Sequence, residues 1–70
     1  MFEVVEIKNY DTYHSYGINW HTDYIIKTDE KLNIDEVIKK LQEIGINPYG
    51  ECKLKKVDER DEIILETIMY

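Results

Sequence analysis

The sharpest pattern along the chain is an amphipathic stretch at its centre. Ile34, Val37, Ile38, Leu41 and Ile44 recur at helical spacing while Glu36, Lys39, Lys40 and Glu43 fill the other side, which predicts a helix that lays one face on a sheet. Its ends are specified as well. Asn33 can cap the start with Glu36 completing a capping box, and Leu32 and Val37 stand where a hydrophobic staple places them. Gly45 can take the left-handed conformation at the end, Ile46 can fold back on the last turn, and Pro48 prevents continuation. The expected helix runs from Ile34 to Ile44.

Either side of it the period falls to two. Residues 2–7 and 19–28 carry β-branched and aromatic side chains, with Ser15-Tyr16-Gly17 as the reversal between them, the signature of a hairpin. A one-residue slip moves every side chain to the other face, so the register can be argued from the faces. A four-residue turn at 14–17 pairs Tyr13 with Ile18, Lys8 with Asp23, Ile7 with Tyr24 and Val5 with Ile26. That groups Val5, Ile7, Trp20, Tyr24 and Ile26 inside; a three-residue loop would set Lys8 and Glu6 opposite Tyr24 and Ile26 instead. After the helix, 51–57 and 62–69 flank the polar turn Asp58-Glu59-Arg60-Asp61. There Leu54 faces Leu65, Cys52 faces Thr67 and Lys53 faces Glu66, directing Cys52, Leu54, Ile63, Leu65 and Met69 at the helix. The expected fold is α+β, a β-β-α-β-β chain with a four-stranded antiparallel sheet and one helix packed on one face, in a single domain spanning residues 1–70.

One short helix covers one side of such a sheet, which makes the opposite parity informative. In these registers the far side carries Phe2, Val4, Tyr10, Ile25, Val57, Ile64, Ile68 and Tyr70 among Glu6, Lys8, Lys27, Lys53, Lys55 and Glu66. A contiguous apolar face of that size calls for company. The expectation is a homodimer through Phe2, Val4, Ile25, Ile64, Ile68 and Tyr70.

Seventy residues with 43% apolar and 34% charged side chains fit one folding unit, and no apolar run approaches the ~20 residues that a bilayer requires. The first six residues alternate acid with apolar side chains and lack the basic and apolar regions of a signal peptide, so a cytoplasmic location is expected. A single cysteine, Cys52, leaves no internal disulfide, and at this size a lone core supplies no more than ~3 to 5 kcal/mol. The net charge of −6 is concentrated in the first thirty residues, with six acids against two lysines. Such a field repels phosphate backbones and draws basic partners, which argues against direct nucleic-acid binding. The absence of alanine, the lone Arg60 and eleven isoleucines reflect an AT-rich coding sequence, as in a low-GC bacterium or a phage or mobile element within one.

The most unusual segment is Tyr10 to Tyr24, with five of the eight aromatic residues, both histidines and no lysine or arginine. Tyrosine and tryptophan give contact area at low entropy cost and keep a polar tip, as protein interfaces require. Base stacking would need cations to track phosphates. Metal binding is the competing chemistry: His14, His21 and Cys52 supply ligand types, yet the spacing of the histidines matches no standard zinc pattern and Cys52 has no second cysteine. His14 beside Ser15 names a base and a nucleophile, but adjacent side chains in a turn do not converge. No cofactor motif is present, since the three glycines are solitary.

The functional expectation is a non-catalytic protein-binding module. Tyr10, Tyr13, Tyr16 and Trp20 are its contacts, with Asp11, Asp23, Asp29 and Glu30 steering a basic partner, as in a phage or mobile-element inhibitor of a nucleic-acid-binding host protein. The alternatives are a structural homodimeric accessory subunit, and a small metal-dependent or ligand-binding domain using His14, His21 and Cys52.

Overall fold

Asn33 opens the helix as its chemistry dictates: its side chain accepts from the Glu36 amide at 2.8 Å, and the Glu36 carboxylate accepts from the Asn33 amide at 3.0 Å. In this computed structural model, which describes residues 1–57 and 59–70, α1 spans Ile34–Glu43 and ends at the Ile44 cap. Gly45 follows at φ +86°, and the Ile46 amide returns to the Leu41 carbonyl at 2.9 Å. Both signals read from the sequence act where expected.

Four strands flank the helix: β1 (Phe2–His14), β2 (Gly17–Thr28), β3 (Glu51–Val57) and β4 (Glu62–Met69). They form one antiparallel sheet in the order β1-β2-β4-β3, so the two hairpins join through their second strands and β1 and β3 are the edges. The second hairpin pairs as expected, with Leu54 opposite Leu65, Cys52 opposite Thr67 and Lys53 opposite Glu66. Asp58, part of the expected turn, lies outside the described residues. The first hairpin pairs Tyr13 with Ile18, Lys8 with Asp23 and Ile7 with Tyr24.

Below Ile7 the register changes. Val4, not Val5, stands opposite Ile26, Glu6 stands opposite Ile25, and Val5 is the extra residue of a bulge. Every side chain N-terminal to the bulge therefore changes face. Phe2 and Val4, expected on the uncovered face as oligomer contacts, pack instead against the core under the helix, and Lys40 Nζ sits 5.7 Å from the centre of the Phe2 ring. Val5, expected inside, is half exposed.

The core is small: Tyr24, Ile26, Ile63 and Leu65 of the sheet against Val37 and Leu41 of α1. Ten helical residues span about 15 Å, whereas the molecule is 41 Å long. The helix covers the half of the sheet away from the hairpin tip, and the other half of the same face has no cover. Among the described residues no helix is long and apolar enough to cross a membrane.

Candidate functional site: the β1–β2 hairpin

Period-two alternation from Tyr24 and Ile26, which face the helix, assigns each hairpin residue to a side. Rows on the helix side, moving towards the tip, are Ile7–Tyr24–Leu65–Leu54, Asn9–Thr22–Thr67–Cys52, Asp11–Trp20–Met69 and Tyr13–Ile18. The first row is under the helix only at its centre, since Tyr24 and Leu65 are buried while Ile7 at the edge is 47% exposed. The second is tied by polar contacts: Thr22 Oγ1 donates to Asn9 Oδ1 at 2.9 Å, and Thr67 Oγ1 donates to the Thr22 carbonyl at 2.9 Å. Above it Trp20 (52% exposed), Met69 (43%), Ile18 (39%) and Tyr13 (75%) are left open to solvent. Ile18, Trp20 and Met69 thus form an apolar ledge beyond the helix, tipped by Tyr13, and Ile7 lies apart from it across the polar Asn9–Thr22 row. Trp20 and Ile7 were expected inside and Met69 against the helix; all three are exposed because α1 is too short to reach them.

The other aromatic and acidic residues scatter around this ledge. Tyr16, in the turn, is almost wholly exposed. Tyr10 lies on the opposite, helix-free face, stacked on His21 with ring centres 4.6 Å apart and planes 3° from parallel. Burial, and after it the charge of Asp23, raises the Tyr10 hydroxyl above its ordinary pKa. Of the four expected steering acids only Asp11 borders the ledge, directly opposite Trp20. Asp23 shares the Tyr10 face, and its buried Oδ1 has no hydrogen-bond partner among the described residues. Asp29 and Glu30 follow β2 at the far end of the molecule, where Asp29 meets the Met1 amino group at 3.4 Å and Glu30 meets Lys40 at 3.7 Å. They cannot steer a partner towards the hairpin tip from there.

The helix-free face is less apolar than its sequence suggests. Its rows run Glu6–Ile25–Ile64–Lys55, Lys8–Asp23–Glu66–Lys53 and Tyr10–His21–Ile68–Glu51. Ile25, Ile64 and Ile68 are partly buried within the single chain; Ile25 and Ile64 pair with each other, and a fully charged row, whose Glu66 also meets Lys55 of the neighbouring row at 3.5 Å, separates them from Ile68. The Tyr70 hydroxyl donates to Glu51 at 3.1 Å. With Phe2 and Val4 on the other side, the six residues expected to form an oligomer face do not form one patch.

The histidines and the cysteine are engaged locally. His14 Nδ1 accepts from the Tyr16 amide at 3.1 Å and its Nε2 lies 3.1 Å from Asn19 Oδ1, which ties the turn to β2. His21 Nε2 lies 2.7 Å from Thr12 Oγ1. Cys52 packs against the core, and burial pushes its thiol above the ordinary range, away from the reactive thiolate. Among the described residues no three His, Cys, Asp or Glu side chains come together in a way that could hold a metal ion. No family model, curated protein or solved structure matches this chain.

Proposed function

We propose that this protein is a non-catalytic binding module that docks another protein on the helix-side ledge of its hairpin, with Trp20, Ile18 and Met69 as the apolar centre and Tyr13 and Tyr16 at the tip. The observation that carries this reading is the half exposure of Trp20 beside the exposed Met69 and Ile18 on the same face. Large aromatic residues left in a contiguous apolar patch are the usual anchors of protein interfaces. The surroundings supply the preference for partner charge. Asp11 stands opposite Trp20 and residues 9 to 26 contain no lysine or arginine, so a cationic protein surface complements the ledge. A protein whose own site binds nucleic acid presents such a surface.

The test is site-specific photocrosslinking in an extract of the source cells. A benzophenone side chain at Trp20 should capture a protein that the same group at Lys39, on the outer side of α1, does not. Tyr13→Ala with Tyr16→Ala should weaken binding of the purified partner at least tenfold while the circular dichroism spectrum stays unchanged. Identical adducts at both positions, or affinity indifferent to the tyrosines and to Trp20→Ala, would contradict the reading.

A further inference from the structure

The two edges of the sheet are built differently. β3 is seven residues long and carries Lys53, Lys55 and Lys56, a common protection against strand addition. β1 is thirteen residues long, has no proline, and holds one lysine, Lys8. The bulge at Val5 and the turn at Ser15 leave a regular run of nine residues, Glu6 to His14, all of them exposed. Beyond the Trp20–Met69 pair this edge belongs to a ribbon of only two strands, an arrangement that is marginal in water without a further neighbour.

The sequence of that run complements itself. Two antiparallel copies joined edge to edge are related by a two-fold axis normal to the sheet, so facing residues share a side and the axis passes through a residue. An axis at Lys8 sets Lys8 against its own copy, and one at Asp11 does the same to an acid. An axis at Asn9 sets Ile7 against Asp11 and leaves Tyr13 opposite the bulged Val5. An axis at Tyr10, the midpoint of the run, pairs all nine residues: Glu6 with His14, Ile7 with Tyr13, Lys8 with Thr12, Asn9 with Asp11, and Tyr10 with itself. No like charges meet, the exposed apolar side chains Ile7 and Tyr13 cover each other twice, and two Tyr10–His21 stacks come side by side.

We propose that residues 6–14 are a strand-pairing edge for a second copy of this chain, antiparallel about Tyr10, which yields a continuous eight-stranded sheet. This goes beyond the docking reading: Trp20 and Ile18 belong to β2 and Met69 to β4, so the centre of the ledge stays open in the dimer, and only Tyr13 at its tip is shared with the paired edge.

Nitroxide labels on Ser15→Cys, in a Cys52→Ser background, test the register by pulsed electron paramagnetic resonance. Ten residues along the strand separate the two labels, about 33 Å, and light scattering should give a dimer mass. Asn9→Asp places two acid pairs across the axis and should weaken the dimer roughly tenfold; adding Asp11→Asn removes both like-charge pairs and should restore it. A monomer at the concentrations of the resonance measurement would overturn the proposal. So would a dimer with labels at another separation, or one indifferent to Asn9→Asp.

Discussion

Val4 stands opposite Ile26, whereas Val5, the next residue, stands opposite nothing. That single extra residue sends Phe2 and Val4 under the helix and Val5 to the surface, although the two valines are adjacent and chemically identical. Val4→Ala should therefore cost about 1 to 2 kcal/mol of unfolding free energy, and Val5→Ala about 0.5 kcal/mol or less. Urea denaturation of the two variants reads the difference. A larger loss for Val5→Ala than for Val4→Ala would mean that the register passes through Val5 without a bulge.

Two glycines separate conformation from collision. Gly45 and Gly50 both have positive φ, +86° and +83°, but a Cβ on Gly45 meets open space, while one on Gly50 runs into the Ile68 carbonyl oxygen where the chain enters β3. Gly45→Ala should cost about 1 kcal/mol. Gly50→Ala adds a backbone clash and should remove most of the ~3 to 5 kcal/mol that a core of this size supplies. Thermal unfolding should leave the first variant folded at room temperature and the second largely unfolded; similar midpoints would contradict the close approach.

Stability should fall on the alkaline side. Burial raises the Cys52 thiol above its ordinary 9.0, and burial first, then the neighbouring Cys52 and Tyr49, raises the Tyr24 hydroxyl above 10.0. The folded protein therefore holds protons that the unfolded chain has released, so this contribution is complete below pH 9 and is lost as pH rises through the folded values. Urea midpoints should be flat from neutrality and decline above pH 9. Cys52→Ser should move the onset towards 10, and Tyr24→Phe should reduce the slope beyond it. An unchanged profile in the double variant would refute the assignment.

Local signals in the sequence were sufficient for the helix and the second hairpin. Asn33, Glu36, Gly45 and Pro48 act through neighbours in the chain, and a four-residue turn sets Leu54 opposite Leu65 together with Lys53 opposite Glu66. The first hairpin was legible down to Ile7, because Lys8 opposite Asp23 and Tyr13 opposite Ile18 fix it. The bulge was not, since Phe2-Glu3-Val4-Val5 offers an apolar residue to either face and only the packing of Phe2 and Val4 against α1 decides between them. The aromatic segment stood out as the unusual surface, but its division between two faces and the exposure of Trp20 depend on where the helix stops short. That is a matter of 15 Å of helix against a 41 Å molecule. Asp29 and Glu30 were linked to the hairpin by sequence proximity to β2 alone, and twelve residues of extended chain carry them to its other end.

Trp20 is the only tryptophan, and its fluorescence reports on the ledge directly. The isolated protein should emit close to the wavelength of tryptophan in water and be readily quenched by acrylamide, in the monomer and in the edge-paired dimer alike, with quenching lost only when a partner protein covers the hairpin. A blue-shifted emission that resists acrylamide in the isolated protein would show the ledge already enclosed, and would contradict the account.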